Sequence, residues 1–365
     1  MRDRLAAAYG EAADLADARA LPGVAYTDPA VFDSELALVL RAGWLPVARE
    51  SALANAGDYL CVDVAGEPLV VTRDKAGEIH VLSRVCRHRG MPVAEGAGNA
   101  KALTCPYHLW RYHLDGRLAA APGMERSAAF ARDACGLPRV AAERWGGWIF
   151  ANLDGRAAPM GPQLEPLAAR IAHANPEALV TAGIVEFDSP WNWKVMVENF
   201  LESYHHIGPH AGTLQQTNPG LATHEGQGGD LYTVLENPPA EGHSRFVVAA
   251  IFPLTLMFFT EDPSSPPLGV WYELADLRAG GFRLRVHLLT PPEFAAVPEY
   301  VESFRAQVTA IHLEDIPACE GVQKGVASAL YRPGPLSHLE ACLLRFHAHL
   351  RSRAAAGAAT PLPRA

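Results

Sequence analysis

Three features that would assign the chain to common protein classes are missing from its 365 residues. Six cysteines in this length do not make the dense disulfide framework of a small secreted domain. No segment approaches the roughly 18 consecutive apolar residues of a membrane-spanning helix, and the first residues lack the apolar run of a signal peptide. We therefore expect a cytoplasmic protein without a membrane partner.

Charge and glycine patterns argue against two further classes. The 31 Lys and Arg residues are outnumbered by 40 Asp and Glu, and no basic cluster stands out, so we expect no nucleic-acid partner. No strand is followed by the glycine fingerprint of a dinucleotide-binding fold, and the four-cysteine pattern of a plant-type ferredoxin is missing as well. A redox enzyme with this sequence would need an external electron source.

The chain does contain two short segments with metal-binding residue types. Cys86 and His88 stand in CRHRG, and Cys105 and His108 stand in CPYH. Two cysteines and two histidines are the ligand set of a Rieske [2Fe–2S] cluster. Zinc uses the same residue types, but its cysteines are usually spaced C-x₂₋₄-C and its histidines share a helix. The spacing therefore favours an iron–sulfur cluster over a zinc site.

A second group of metal-binding residue types lies in NWKVMVENFLESYHHIGPH, residues 192–210, where we predict a helix over 192–207. Glu202 and His205 are spaced i, i+3 and so share a helix face, and Gly208-Pro209 should end the helix and free His210 to fold back. Two histidines and a carboxylate would form a facial triad with positions open for O₂. The candidate carboxylates are Glu198, Glu202, Glu314, Asp315 and Glu320. Solvated helix charges and structural histidines are the alternative interpretation.

The pattern of apolar residues and turn residues predicts an α+β protein. Short strands separated by turns occupy residues 44–153, with a hairpin at Asp115-Gly116 and a last strand over 145–153. An edge strand over 179–189 and five strands within 230–290 form a second sheet. Helices are predicted over 27–44, 163–173, 298–331, with an interruption at Pro317, and 335–353.

Together these segments resemble the α subunits of Rieske non-heme iron oxygenases of the ring-hydroxylating type. The likeness is carried by CRHRG, CPYHLWRYHLDGRL and NWKVMVENFLESYHHIGPH, and it extends to EDIPACEGVQKG and YRPGPLSHLEACLLRFH. It implies an all-β Rieske domain over residues 44–155 and a helix-grip catalytic domain over 156–353. Residues 1–43 would be a helical segment packed on the catalytic domain, and 354–365 a flexible tail.

The resemblance also implies a role for each candidate residue. The ligands of the [2Fe–2S] cluster would be Cys86, His88, Cys105 and His108. The ligands of a mononuclear iron would be His205, His210 and Asp315. Glu202 would be an inter-subunit electron bridge, which connects a cluster histidine of one subunit to an iron-binding histidine of the next in a homotrimer.

Two positions depart from the usual pattern of that family. Many members have Asp where this chain has Glu202, although Glu is found in the carnitine monooxygenase-like branch. His206 stands where related helices often have Cys or an apolar residue. Because His206 lies i+4 from Glu202, spacing alone leaves both His205 and His206 open as ligands, while the Tyr-His pattern favours His205.

The implied activity is that of a terminal oxygenase. Electrons from NAD(P)H would arrive through a separate reductase or ferredoxin and support O₂-dependent oxidation of a small organic substrate. Glu202 and the GPLSHLE segment favour hydroxylation or N-demethylation of a quaternary or methylated amine, with hydroxylation or dihydroxylation of an aromatic ring as the alternative. A Rieske electron carrier without oxygenase activity is the alternative from another class.

The substrate cavity should lie between the predicted iron helix and the strands of residues 230–290. Its candidate wall residues are large and apolar: Phe200, Ile207, Phe246, Phe252, Phe258, Phe259, Trp271 and Tyr272. Burial in the core is the alternative for each of these residues, because the sheets and helices of such a domain must bury aromatic side chains. As cavity walls, they would suit either the stacking of a ring or cation–π contacts to an ammonium group.

Overall fold

The computed structural model describes residues 1–356, and its first half is built from ten short strands. These are β1 (Leu45–Arg49), β2 (Asp58–Val64), β3 (Glu67–Arg73), β4 (Ile79–Ser83), β5 (Ala97–Asn99), β6 (Leu103–Thr104), β7 (Arg111–Tyr112), β8 (Leu118–Ala120), β9 (Arg139–Trp145) and β10 (Trp148–Asn152). A seven-stranded sheet has the order β1-β10-β9-β4-β3-β2-β5, and β6-β7-β8 form a small second sheet. All pairs are antiparallel, and the hairpin at Asp115-Gly116 is confirmed as the β7–β8 connection.

The last strand predicted over residues 145–153 is present as β10, but it begins only at Trp148, because β9 and β10 form a hairpin there. Gly146 and Gly147 between them have φ values of 58° and 81°. These left-handed conformations suit a two-residue hairpin turn and cost glycine little, since it has no Cβ. The Gly-Gly pair therefore reverses the chain instead of continuing the strand.

The second half contains a sheet of seven antiparallel strands. They are β11 (Val180–Ser189), β12 (His224–Glu225), β13 (Tyr232–Asn237), β14 (Arg245–Ile251), β15 (Thr255–Glu261), β16 (Gly269–Arg278) and β17 (Gly281–Thr290), in the order β11-β17-β16-β15-β14-β13-β12. The five strands predicted within 230–290 are confirmed, and so is the edge position of β11. One face of this sheet packs toward residues 193–210 and toward the helix that carries Asp315.

Helices cover the sheets and confirm the α+β class. They are α1 (Arg2–Tyr9), α2 (Val24–Thr27), α3 (Pro29–Glu35), α4 (Glu165–Ile171), α5 (Trp193–Phe200), α6 (Leu214–Thr217), α7 (Pro292–Ala295), α8 (Pro298–Val326) and α9 (Ala341–Ala356). Asp28 caps α3, since its carboxylate accepts a hydrogen bond of 2.8 Å from the Ala30 amide. Across residues 1–356, no helix is both long and apolar enough to cross a membrane.

The continuous helix predicted over residues 192–207 is wrong, because α5 ends at Phe200 and a separate 3₁₀ turn spans Tyr204–Ile207. Side-chain hydrogen bonds replace the helical ones between the two. The Ser203 hydroxyl donates to Asn237 Oδ1 (2.7 Å), and Glu202 Oε2 accepts from the His205 amide (3.0 Å). The chain is thus drawn from the helical path toward the sheet.

The interruption predicted at Pro317 is also wrong, because α8 continues through this residue. Proline cannot donate to the carbonyl four residues earlier, which belongs to Leu313. Leu313 is exposed, so water can satisfy that carbonyl and the helix is maintained. In the predicted tail over 354–365, residues 354–356 belong to α9 and the remainder lies outside the described residues.

Candidate functional site

Two loops of the first half have the same backbone hydrogen bonds around a cysteine. The Cys86 carbonyl accepts from the Gly90 amide, and the Cys105 carbonyl accepts from the Leu109 amide, both at 3.0 Å. Each cysteine amide donates to the carbonyl five residues on, at 3.0 Å and 2.8 Å. The fourth residue after each cysteine has a positive φ, 79° for Gly90 and 60° for Leu109. Each loop thus folds back on itself and presents its cysteine and histidine from one tight turn.

The four side chains of these loops separate into a buried sulfur pair and a surface nitrogen pair. Cys86 and Cys105 are enclosed in the apolar core, whereas His88 and His108 lie near the surface with their Nδ1 atoms 3.1 Å apart. Tyr112 Oη accepts from the Arg87 amide (3.1 Å), which leaves its proton for Cys86 Sγ at 3.2 Å. Burial raises the pKa of the Cys86 thiol, and the Tyr112 hydrogen bond opposes that rise. A bound cation is what would favour the thiolate.

The donor set fits a two-iron cluster better than a single ion. Ligand atoms around one tetrahedral zinc lie about 3.3–3.8 Å apart, given its bond lengths to nitrogen and sulfur. Among residues 1–356, the one set of three or more ligand atoms that all lie within 4.8 Å of one another belongs to the second half, and these two loops do not form such a set. Two nitrogens at one position and two sulfurs at another suit two metal ions.

The compact set consists of His205, His210 and Asp315. Asp315 Oδ1 on α8 lies 3.0 Å from His210 Nε2 and 3.5 Å from His205 Nε2. Asn199 Nδ2 donates to the same carboxylate oxygen at 3.2 Å. Two imidazole nitrogens and one carboxylate oxygen on one face of a metal position form the donor set of a mononuclear iron. The coordination positions on the opposite face stay open. These residues therefore fit the metal.

Each histidine of the set is held by a carboxylate at its other nitrogen. Glu202 Oε1 lies 2.6 Å from His205 Nδ1, and Glu314 Oε2 lies 2.6 Å from His210 Nδ1 and also accepts from the Thr213 hydroxyl. Such contacts fix the tautomer, with Nδ1 protonated and Nε2 directed at the metal position. The sequence predicted the role of neither Glu314 nor Thr213; the Glu-Asp pair at 314–315 was the available signal.

His210 and Asp315 in the compact set each favour the charged form of the other. Burial raises the pKa of Asp315, but the hydrogen bond and charge of His210 outweigh it, so the pKa lies below its usual value. Burial lowers the pKa of His210, yet the bonds to Asp315 and Glu314 leave it raised. A divalent cation bound to these residues would likewise favour the ionised carboxylate.

The other candidate ligands have different partners. His206 Nδ1 lies 2.9 Å from the Asn218 carbonyl, and burial lowers the pKa of His206 to about 4. Glu198 accepts from the Tyr26 hydroxyl (2.8 Å) and contacts His347 Nε2 (2.8 Å). Glu320 is exposed on α8. Of the residues considered for the mononuclear site, only His205, His210 and Asp315 converge on one point.

A cavity of about 330 Å³ opens from the compact set between α5, α8 and the sheet. Phe200, Phe246, Phe258 and Tyr272 line it as predicted, and α8 adds Phe304 and Val308. The prediction is wrong for Ile207, Phe252, Phe259 and Trp271. Phe259 and Trp271 are the strand neighbours of Phe258 and Tyr272, and successive side chains of a strand point to opposite faces. Phe252 is in the core and Ile207 is exposed.

A second cavity of about 440 Å³ lies on the other side of the same residues. Glu202, His205 and Asn199 line both cavities, so Glu202 stands between them. The second cavity also contains Glu198 and Glu340, which gives it an acidic wall. Burial raises the pKa of Glu340, although the Ser337 amide donates to it.

Comparison with known families matches both halves. Residues 43–134 match the Rieske [2Fe-2S] domain, and residues 176–356 match the catalytic domain of the ring hydroxylating alpha subunit. The chain is 31% identical to the carnitine monooxygenase oxygenase subunit of Escherichia coli K12 over 332 residues, which cover 87% of this chain and 86% of the relative. The chain belongs to the ring-hydroxylating oxygenase α-subunit family.

Solved structures of two kinds share the fold of this α subunit. The quaternary ammonium Rieske monooxygenase CntA in complex with its substrate L-carnitine has a TM-score of 0.80 at 24% identity, covering 96% of this chain and 98% of that one. CntA has also been solved with its substrate γ-butyrobetaine. Naphthalene 1,2-dioxygenase from Rhodococcus sp. has a TM-score of 0.80 at 18% identity, covering 97% and 98%. At these identities the likeness shows the fold alone.

Membership of the family establishes the reaction class. The α subunit is an oxidoreductase with a Rieske [2Fe–2S] cluster and a mononuclear iron, and it needs electrons from a partner component, O₂ and an organic substrate. An electron carrier without oxygenase activity is excluded, because residues 176–356 match the catalytic domain.

Proposed function

We propose that this α subunit hydroxylates or N-demethylates a small quaternary or methylated amine. The observation that carries the proposal is the aromatic wall of the 330 Å³ cavity beside the compact donor set. Phenyl rings at Phe200, Phe246, Phe258 and Phe304 and the phenol of Tyr272 offer faces to a cationic methylammonium group. The 31% identity to a carnitine monooxygenase oxygenase subunit supports the same substrate class.

We infer the metal ligands from the contacts described above. Cys86, His88, Cys105 and His108 hold the [2Fe–2S] cluster within a Rieske domain of residues 44–155. His205, His210 and Asp315 hold the mononuclear iron within a catalytic domain of residues 156–353, on which residues 1–43 pack. When bound, the cluster supplies single electrons and the iron supplies O₂ activation.

The protein's own residues position the substrate and fix the histidines. The aromatic wall holds the ammonium group and excludes water from it, so that a methyl group or adjacent carbon faces the donor set. Glu202 and Glu314 keep His205 and His210 in the tautomer whose Nε2 is free, through contacts of 2.6 Å. Asn199 keeps the Asp315 carboxylate in one orientation.

Glu202 is proposed as the electron bridge between subunits of a homotrimer. Its Oε1 contacts His205 Nδ1, and its carboxylate lines the second, acidic cavity. Each carboxylate oxygen has two lone pairs, so Glu202 can also accept from His108 of the partner subunit. In that arrangement one carboxylate connects an imidazole of the cluster to an imidazole of the iron site.

Charge and exposed apolar groups support this pairing of subunits. Residues 84–144 contain ten Lys and Arg against five Asp and Glu, although the whole chain contains 31 against 40. The cluster loops also expose Met91, Tyr107 and Leu109, and Arg87 and Arg89 flank His88. A basic surface with an apolar centre is complementary to the acidic second cavity.

A cytoplasmic location suits an enzyme that depends on NAD(P)H through a reductase.

Oxidation of an aromatic ring by the same machinery is the second candidate. It is favoured by the aromatic part of the wall and by the fold shared with naphthalene 1,2-dioxygenase. The two candidates differ in the charge of the substrate.

The test is substrate-dependent O₂ uptake by the iron-loaded protein with NADH and a surrogate Rieske-oxygenase reductase. We expect turnover with L-carnitine or another trimethylammonium compound, and none when the reductase is omitted. Formation of trimethylamine or another demethylated or hydroxylated product would identify the reaction. Turnover of naphthalene or biphenyl but of no methylated amine would replace the proposal with the second candidate.

The iron-ligand assignment predicts the metal content of single variants. The wild-type protein should hold three irons per chain, two in the cluster and one in the mononuclear site. His205→Ala should lower the content to about two, because it removes one of three ligands. His206→Ala should retain three irons, since its Nδ1 is bonded to the Asn218 carbonyl. Full iron in His205→Ala together with loss in His206→Ala would reverse the assignment.

A further inference from the structure

Two histidines of the cavity wall, His206 and His243, belong to neither metal-ligand set, and His206 is the buried one. His206 is almost fully buried, and its Nδ1 lies 2.9 Å from the carbonyl oxygen of Asn218. A carbonyl oxygen only accepts hydrogen bonds, so Nδ1 carries the proton. In the neutral ring Nε2 is therefore unprotonated and can act only as an acceptor.

The free nitrogen of His206 faces the cavity. Nε2 has no hydrogen-bond partner within residues 1–356, and it does not belong to the fully enclosed polar atoms without partners. His206 lines the 330 Å³ cavity, so this cavity is the space that Nε2 faces. The ring is fixed there, because Asn218 is itself bonded through Nδ2 to the carbonyls of Asn237 (3.2 Å) and Ser244 (3.1 Å).

The surroundings make this acceptor a selective contact. The His206 ring centroid lies 5.3 Å from that of His205 and 5.5 Å from that of His210, and Phe246 is the aromatic neighbour on the cavity side at 6.5 Å. An acceptor beside apolar walls is poorly solvated and gains when a ligand donates to it. A donor group bound at His206 Nε2 would also lie close to the iron ligands, because the His206 ring is next to the rings of His205 and His210.

We propose that His206 determines substrate specificity by accepting, at Nε2, a hydrogen bond from a hydroxyl group of the substrate. The substrate class is then a hydroxylated quaternary or methylated amine rather than its deoxy analogue. This inference rests on the proposed function for the ammonium part of the substrate. The hydrogen bond fixes the distance of the hydroxyl-bearing carbon from the metal site, so it also selects the position that is oxidised.

Two variants separate the acceptor from the structural bond to Asn218. In His206→Asn, the side-chain amide reaches the position of Nδ1 and can still donate to the Asn218 carbonyl, but nothing remains at the position of Nε2. In His206→Gln, the longer side chain places an amide at the position of Nε2, and the Nδ1 donor is lost. A purely structural histidine would be replaced better by Asn, and a substrate acceptor better by Gln.

The experiment measures the dissociation constants of L-carnitine and γ-butyrobetaine for the iron-loaded holoenzyme by calorimetry. These two compounds differ by one hydroxyl group. We expect the wild type to bind L-carnitine about tenfold more tightly, as one hydrogen bond allows. His206→Asn should retain three irons and bind both compounds equally, and His206→Gln should keep part of the preference.

Equal binding by the wild type, or an unchanged preference in His206→Asn, would overturn the proposal. A second pair of ligands, benzyl alcohol and toluene, distinguishes failure of the His206 contact from failure of the proposed function. If neither ammonium compound binds but benzyl alcohol is preferred through His206, the proposed substrate class is wrong and the His206 contact stands. If this pair shows no preference that depends on His206 either, the contact is wrong as well.

Discussion

Mixed trimers of two inactive variants should recover about one third of the wild-type activity, because a ring of three that contains both variants has one productive junction. One variant, Asp315→Ala, keeps the cluster but loses the mononuclear iron. The other, His108→Ala, keeps the mononuclear iron but loses a cluster ligand. Each alone should be inactive. Co-expression with two different affinity tags and sequential purification selects trimers that contain both chains.

The recovery follows from the position of Glu202 between the two cavities. If electrons pass from the cluster of one subunit to the iron of the next, the Asp315→Ala chain can supply a neighbour whose own cluster is defective. If they passed within one chain, no junction in the mixed trimer would be productive. Turnover with NADH and reductase is the measurement, and activity indistinguishable from that of the separate variants would reject the inter-subunit bridge.

A matched substitution locates the bridge in one chain of the pair. Glu202→Gln added to the His108→Ala chain should lower the recovered activity by about 10- to 100-fold, as the loss of a group that orients a metal ligand does. The same change in the Asp315→Ala chain should have no effect, because the Glu202 of that chain serves a site without iron. Equal effects in both chains would contradict the proposed direction of transfer.

The sequence alone indicated the candidate residues that lie close together in the chain. Cys86 is close to His88 in the chain, and Cys105 is close to His108. The structure brings the two histidine nitrogens together and the two cysteine sulfurs together. The strand-like apolar runs separated by Pro and Gly turns in residues 230–290 likewise predicted the second sheet. Asp315 was assigned only through the family resemblance. It lies 105 residues after His210, so no local sequence pattern connects the two.

The rest depended on tertiary contacts. The bond from Ser203 to Asn237 ends the predicted long helix early, and no pattern in residues 192–207 reveals a partner on β13. Phe258 and Phe259 are equally apolar, so only the register of β15 decides which one faces the cavity. Glu314 contacts His210 only because α8 crosses the loop that carries His210.

The buried ion pair of Lys194 and Glu35 is a further contact that composition does not reveal, and breaking it should have the largest effect on stability. Lys194 Nζ lies 2.7 Å from Glu35 Oε1, and both side chains are fully buried. Glu35 also accepts from the Tyr9 hydroxyl and the Trp193 indole, both at 2.9 Å. The carboxylate thus joins α1 and α3 to the start of α5.

Lys194→Met should destabilise the protein by about 3–5 kcal/mol, because it leaves the Glu35 carboxylate buried without a counter-charge. For the catalytic domain proposed over residues 156–353, this corresponds to a fall in Tm of at least about 6 °C. The double variant with Glu35→Gln should recover much of the loss, since the uncompensated charge is then gone. Thermal unfolding of the iron-loaded protein, followed by circular dichroism, measures all three proteins.

Arg283→Met is the control, because its ion pair with Asp188 (3.5 Å) is largely exposed and should contribute no more than about 1 kcal/mol. A Lys194→Met protein as stable as this control would mean that neutral donors alone stabilise the Glu35 carboxylate. The consequence reaches the active site, since α5 carries both Lys194 and Asn199, and Glu202 follows two residues after its end. An unanchored α5 would loosen the residues that orient Asp315 and His205, so Lys194→Met should also weaken retention of the mononuclear iron.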